Sequence, residues 1–149
     1  MNIKPKIHSA FLEVIENKIF LLQQTLADLK ESGANETKST AGDKHETALA
    51  MLQIEQANNR AQLQDALEQR SVLTNINPDN ITSKVTSGSL LKTNRGHFYI
   101  SVALGKLNIE GNVVTAISLQ SPLGAILMGK VALDSVTVNG NIFFIESIE

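Results

Sequence analysis

The chain has 149 residues, with 13 Lys and Arg against 15 Asp and Glu, a formal net charge of −2 at pH 7. That length holds one ordinary domain, or an extended element plus a small one. With no Trp, one Tyr and no Cys, a large aromatic-lined ligand pocket is not expected. Disulfides, thiolate catalysis and Cys-ligated zinc are excluded.

Residues 1–75 carry eight Lys and Arg against ten Asp and Glu, and residues 76–149 carry five of each. Neither half has the basic stripe that direct DNA or RNA binding requires. Any role near nucleic acid is therefore expected to run through a protein partner. The opening stretch MNIKPKIHSAFLEVIENK acquires Glu13 and Glu16 before a signal-peptide core could form. The apolar runs fall far short of the roughly 20 residues needed to cross a bilayer. A cytoplasmic protein without membrane association is expected.

Apolar residues recur at Ile7, Phe11, Val14, Ile15, Ile19, Leu22, Leu26 and Leu29. These steps of three and four predict an amphipathic helix from Ile7 to about Leu29, with Ser9 a late cap or a first-turn residue. The polar run ESGANETKST should end it, with Gly33 placed as the stop. A second helical pattern runs from about Ala41 to Leu73, with Ser39 or Thr40 as its N-cap. Its thin seam includes Leu49, Leu52, Leu63, Ala66 and Leu73, interrupted by Gln56, Asn59 and Arg70. The two helices should pair antiparallel as a hairpin reaching roughly 40–45 Å and projecting into solvent.

The breakers of NINPDN, Pro78 among them, divide the chain into residues 1–75 and 76–149. Beyond them, strand-length runs alternate with the turns Asn94-Arg95-Gly96, Glu110-Gly111-Asn112 and Asn139-Gly140. Asn-Gly between two apolar runs is a strong hairpin signal. One short helix is predicted from Pro122 to Met128, capped by Ser121 and stopped by Gly129. The expected fold class is α+β: an antiparallel coiled-coil hairpin, then a small antiparallel β domain over Ile81–Ile148 holding one short helix.

Two local patterns carry a family resemblance. One is Gly42-Asp43-Lys44-His45-Glu46-Thr47-Ala48, at the start of the second helix. The other is Ile117-Ser118-Leu119-Gln120-Ser121-Pro122 followed by Leu127-Met128-Gly129-Lys130. Both resemble motifs of the bacterial transcript-cleavage factors GreA and GreB, the first at the hairpin tip (G-D-x-x-E-N-A) and the second in the globular domain (I-S-x-x-S-P, then L-x-G-K). The resemblance covers nearly the whole chain in the right order, and it implies that the β domain has FKBP-like topology. Thr47 stands where the family tip has Asn, and the uncharged NVVTA replaces an acidic loop ahead of the second motif.

The resemblance implies a transcription elongation factor that enters the secondary channel of RNA polymerase. Asp43 and Glu46 would then be the catalytic residues, holding a Mg²⁺ ion shared with the polymerase and reaching the RNA 3′ end only through it. The chain would stimulate the polymerase's own hydrolysis, working as a monomer and not as an enzyme itself. Ser118, Ser121, Pro122 and Gly124 would lie on the side that docks the polymerase. Positions 43 and 46 project from one face of a helical turn. Read without the resemblance, two acids in a first turn gain about 0.3–1 kcal/mol from the helix dipole and need no function.

Two other functions stay open. One is a polymerase regulator using the same channel without stimulating cleavage, which Thr47 keeps alive. The other is an FKBP-type prolyl isomerase, whose pocket would have to be built from Phe98, Tyr99, Phe143 and Phe144. His8 and His97 have no neighbouring metal-ligand pattern and read as structural or solvent-facing. Ser121 lacks the partner pattern of a nucleophile, and Met51 and Met128 read as packing residues.

Overall fold

The structure, a computed structural model, describes residues 3–37 and 43–149, with side chains over 3–34 and 46–149. Helix α1 spans Lys4–Thr37 and helix α2 spans Asp43–Thr74. The first helix begins ahead of the expected Ile7. Pro5 is tolerated there because first-turn N–H groups have no intrahelical acceptor, and the Ile7 amide donates to the Ile3 carbonyl at 3.0 Å. Ser9 is therefore an interior residue and not a cap.

The expected stop at Gly33 does not occur; α1 continues to Thr37. Glycine inside a helix costs roughly 0.5–1 kcal/mol relative to alanine, and pairing with α2 offsets it. The Gln56 side-chain amide donates to the Leu29 carbonyl at 3.2 Å, one turn before Gly33. The N-cap expected at Ser39 or Thr40 lies outside the described residues.

The chain forms two compact units, Ile15–Gln69 and Met1–Val14 with Arg70–Glu149. In the helical unit the buried seam residues are Ile15, Ile19, Asn59 and Ala66, with Leu22, Leu26, Leu29, Leu49, Leu52, Gln56 and Leu63 half-buried. The α2 positions 49, 52, 56, 59, 63 and 66 alternate steps of three and four, the spacing of a coiled-coil seam. Late α1 (Leu29) meets early α2 (Gln56), while the start of α1 and the end of α2 both belong to the other unit. The two helices thus run antiparallel.

Among the described residues every strand follows Asn75. They are β1 (Leu90–Thr93), β2 (Gly96–Ser101), β3 (Gly105–Ile109), β4 (Asn112–Ser118), β5 (Ser135–Val138) and β6 (Asn141–Ile148). The helix α3 (Pro122–Leu127) lies between β4 and β5. The six strands form one sheet in the order β3-β4-β2-β1-β6-β5. Asn139 and Gly140, at φ 51° and 78°, close the β5–β6 hairpin as the dipeptide promised. Glu110 and Gly111, at φ 52° and 83°, close β3–β4 the same way, the double positive φ of a type I′ turn.

One pair departs from the all-antiparallel expectation: β2 and β4 are parallel, with His97 opposite Val114 and Ser101 opposite Ser118. The intervening β3 takes the sheet's outer edge, so the chain turns back once more before β4 fits between β3 and β2. Side-chain periodicity is the same for both strand directions, so the pattern cannot reveal this.

Alternation along the strands separates two faces. On one, Leu91, Phe98, Ile100 and Ile145 form a core with Val85, Val136 and Leu127 of α3. On the other, Tyr99 is covered by Phe11 and His8 of α1, with ring centroids 6.2 and 5.9 Å away.

Candidate functional site

Two places hold the residues singled out in the sequence, and a third holds buried titratable groups. At the first, α2 opens at Asp43, and Glu46 is its fourth residue, with an exposed side chain. Both positions fall in the first helical turn, where free N–H groups favour negative charge. The side chains of Asp43 and His45 lie outside the described residues. Among the described residues no group of three or more acidic or imidazole side chains could hold a metal. Two carboxylates suit a hard cation such as Mg²⁺, which is commonly held by one or two protein oxygens plus groups from elsewhere.

The second is the corner from Ser118 to Gly124. The Ser118 carbonyl accepts from the Ser121 amide at 3.0 Å and from its hydroxyl at 2.6 Å. The Ser118 hydroxyl accepts from the Gln120 amide at 3.0 Å. Ser121 caps α3 as expected, its Oγ accepting from the Gly124 amide at 3.0 Å with Pro122 in the first turn. Gly124 is buried, and a Cβ there would meet the Ser118 carbonyl oxygen at 2.0 Å. Ser118, Ser121 and Gly124 are thus engaged in holding the corner, while Pro122 and Gln120 are exposed on it. Across the parallel pair from Ser118, the buried hydroxyl of Ser101 has no partner among the described residues.

The third was not legible as a site. Lys4 is 1% exposed; its ammonium donates to the Asn80 carbonyl at 2.6 Å and the Glu149 carbonyl at 3.0 Å. One turn on, His8 is buried, with its Nδ1 2.6 Å from the Tyr99 hydroxyl. Burial lowers the pKa of Lys4, opposed by Glu149, and burial followed by the Lys4 charge lowers that of His8. Burial also pushes the Tyr99 phenol up. The one available signal was spacing: Lys4, His8 and Phe11 fall on the apolar stripe of α1.

The aromatic residues needed for an isomerase pocket do not converge. Phe98 packs edge-on against Phe143 at 5.8 Å, while Tyr99, its neighbour in β2, lies under α1 on the opposite face. His97 is half-buried. The packing expected of the two methionines is overturned, since Met51 is 59% and Met128 is 52% exposed.

No family model matches this chain, and no curated protein matches it. Among solved structures it is similar to one described as the structure of the transcription factor Gfh1, at 14% identity, with 92% of each chain covered and a TM-score of 0.37. The fold class is α+β, a long helical pair followed by a mostly antiparallel sheet with one short helix. No helix of the described residues is long and apolar enough to cross a membrane.

Proposed function

We propose that the protein is a Gre-type transcription elongation factor. It enters the secondary channel of RNA polymerase and stimulates cleavage of backtracked RNA through Asp43 and Glu46. The observation that carries this reading is the position of the two acids: α2 opens on Asp43, three residues ahead of an exposed Glu46. A Mg²⁺ ion shared with the polymerase would neutralise charge at the scissile phosphodiester and favour hydrolysis. The chain's own part is to present two carboxylates on one helical turn and hold them there. Hydrolysis belongs to the polymerase, so the chain is a cofactor of that reaction and not an enzyme.

The docking role of the Ser118–Gly124 corner belongs to the same proposal, narrowed by the hydrogen bonds. Pro122 and Gln120 are the contact candidates, and Ser118, Ser121 and Gly124 set the shape that presents them. Replacement of the family's tip asparagine by Thr47 favours a second reading, a regulator that occupies the channel without stimulating cleavage.

One experiment separates the two. The purified protein is added with Mg²⁺ to a stalled, backtracked elongation complex, and the RNA is sized. Cleavage that drops 10-fold or more in Asp43→Asn and in Glu46→Gln, with binding retained, supports the proposal. A factor of ten corresponds to about 1.4 kcal/mol of transition-state stabilisation. Tight binding without cleavage by the wild type supports the regulator.

A further inference from the structure

The outward side of α2 carries an unexpected composition. Positions 47, 50, 51, 54, 57, 58 and 61 lie away from the seam, and all seven are exposed. They are Thr47, Ala50, Met51, Ile54, Ala57, Asn58 and Ala61, without one charge among them. Met51 and Ile54 are 59% and 61% exposed. The outward side of a soluble helical pair ordinarily holds charged and polar residues. Later on the same side, Asp65 and Glu68 restore the ordinary pattern.

This stripe is itself spaced in threes and fours (47, 50, 54, 57, 61), the spacing of a second coiled-coil seam. Its flanks are self-complementary. In an antiparallel pairing of two such stripes about a two-fold axis beside Leu52, Ile54 of one copy lies against Ala50 of the other. Thr47 lies against Ala57, and Met51 meets its own counterpart. That register also sets Glu46 of each copy beside Arg60 of the other, opposite charges at both ends of the contact. A two-fold interface must be self-complementary in this sense.

We infer that the protein self-associates through this face of α2 as an antiparallel homodimer. Alanines at Ala50 and Ala57 let the helices approach closely, and Met51 and Ile54 supply the apolar anchors. A contact four helical turns long buries less than the about 1,200 Å² of stable complexes. The dimer is accordingly weak and forms at high concentration, and the expected monomer is the dilute state. Pairing with Arg60 occupies Glu46, so dimerisation withholds a tip carboxylate from the polymerase. That consequence rests on the proposed role of Glu46; the dimer does not.

Sedimentation equilibrium of the full chain from about 10 µM to about 1 mM at low salt tests it, a range covering weak association. The expected result is a monomer–dimer equilibrium that Ile54→Glu abolishes. Glu46→Arg and Arg60→Glu should each weaken it at least 5-fold, and the double variant should recover it. Circular dichroism checks that helicity is kept, and Met51→Glu replaces Ile54→Glu if it is not. A wild type monomeric at the top concentration overturns the inference, as does a dimer indifferent to both apolar variants. Failure of the double variant to recover association overturns the antiparallel register. None of these readings depends on RNA cleavage, so the assay fails or succeeds separately from the proposed function.

Discussion

His8 Nδ1 and the Tyr99 hydroxyl are 2.6 Å apart, joining the second turn of α1 to the centre of the sheet. The pair is buried, and Lys4 lies one turn away on the same helix. Protonating the imidazole there adds a second positive charge beside an already buried ammonium.

A pH dependence follows with a definite sign. His8 has its folded pKa below the ordinary 6.5, so between the two values the unfolded chain binds more protons than the folded one. Stability therefore rises with pH through that window and is lost as pH falls below about 6.5. Urea midpoints measured from pH 7.5 to pH 5 should decline in the wild type. His8→Asn should be less stable at neutral pH yet lose less over the same range. Equal slopes in the two proteins would remove His8 from the account.

Two glycines should respond in opposite directions. At Gly124 a methyl group would collide with the Ser118 backbone oxygen at 2.0 Å, and neither group can move without opening the corner. Gly124→Ala should cost at least about 2 kcal/mol, as overpacking against backbone does. At Gly33 the nearest atom to such a methyl is the Gln56 amide nitrogen at 3.7 Å, an ordinary contact. Gly33→Ala should stabilise α1 by roughly 0.5–1 kcal/mol. Thermal melts of both variants check the contrast.

The glycines also show how much was legible. Gly124 and Ser121 sit inside a recognisable cap, Ser followed by Pro, and the short helix stands almost where it was expected. Gly33 carries the same local signal as a true helix stop, and only its pairing with α2, contributed by residues more than twenty positions away, decides otherwise. Strand positions were visible as alternation and turn residues, but the direction of β4 was not, because alternation carries no direction. Of the proposed site, the place of Asp43 and Glu46 at the head of α2 was readable from the polar run before it. Outside that site, the burial of Lys4 was not readable, since a lysine on an apolar stripe looks like an interruption until its carbonyl partners arrive from residues 80 and 149.

A buried asparagine in the helical seam gives a third prediction. Asn59 is 7% exposed, and its Oδ1 has no partner among the described residues. Leaving such an acceptor unsatisfied costs about 1–3 kcal/mol. Asn59→Leu should raise the melting temperature of the helical unit, as apolar seam positions do. Differential scanning calorimetry reads this directly, and an unchanged or lowered transition would mean that the amide has a role in the native state.

Leu133 supplies a fourth. It stands at φ 74° with a side chain 72% exposed, a left-handed conformation costing an L-residue roughly 1–2 kcal/mol. A side chain so exposed gains little from burial to offset it. Its amide still donates to the Ile145 carbonyl at 2.7 Å, so the turn is held from outside. Leu133→Gly should be neutral to stabilising by up to about 1 kcal/mol, with its greater unfolded-state entropy offsetting part of the relief. Chemical denaturation of this variant beside Leu133→Ala, which keeps the strain, isolates the backbone contribution.

The order of the sheet has a consequence for how the molecule is assembled. Its two edge hairpins, β3–β4 and β5–β6, join strands two residues apart in sequence, and such local closures form within microseconds. The central β1–β2 pair is a third such hairpin, but the two junctions that join it to the edge hairpins are the reverse. Leu91 of β1 pairs with Ile148 of β6, and His97 of β2 with Val114 of β4. Joining β1 to β6 closes a loop of more than fifty residues, with its entropy lost before the contacts repay it. The hairpins can therefore form early, while β1 stays without its β6 neighbour until the last strand has arrived.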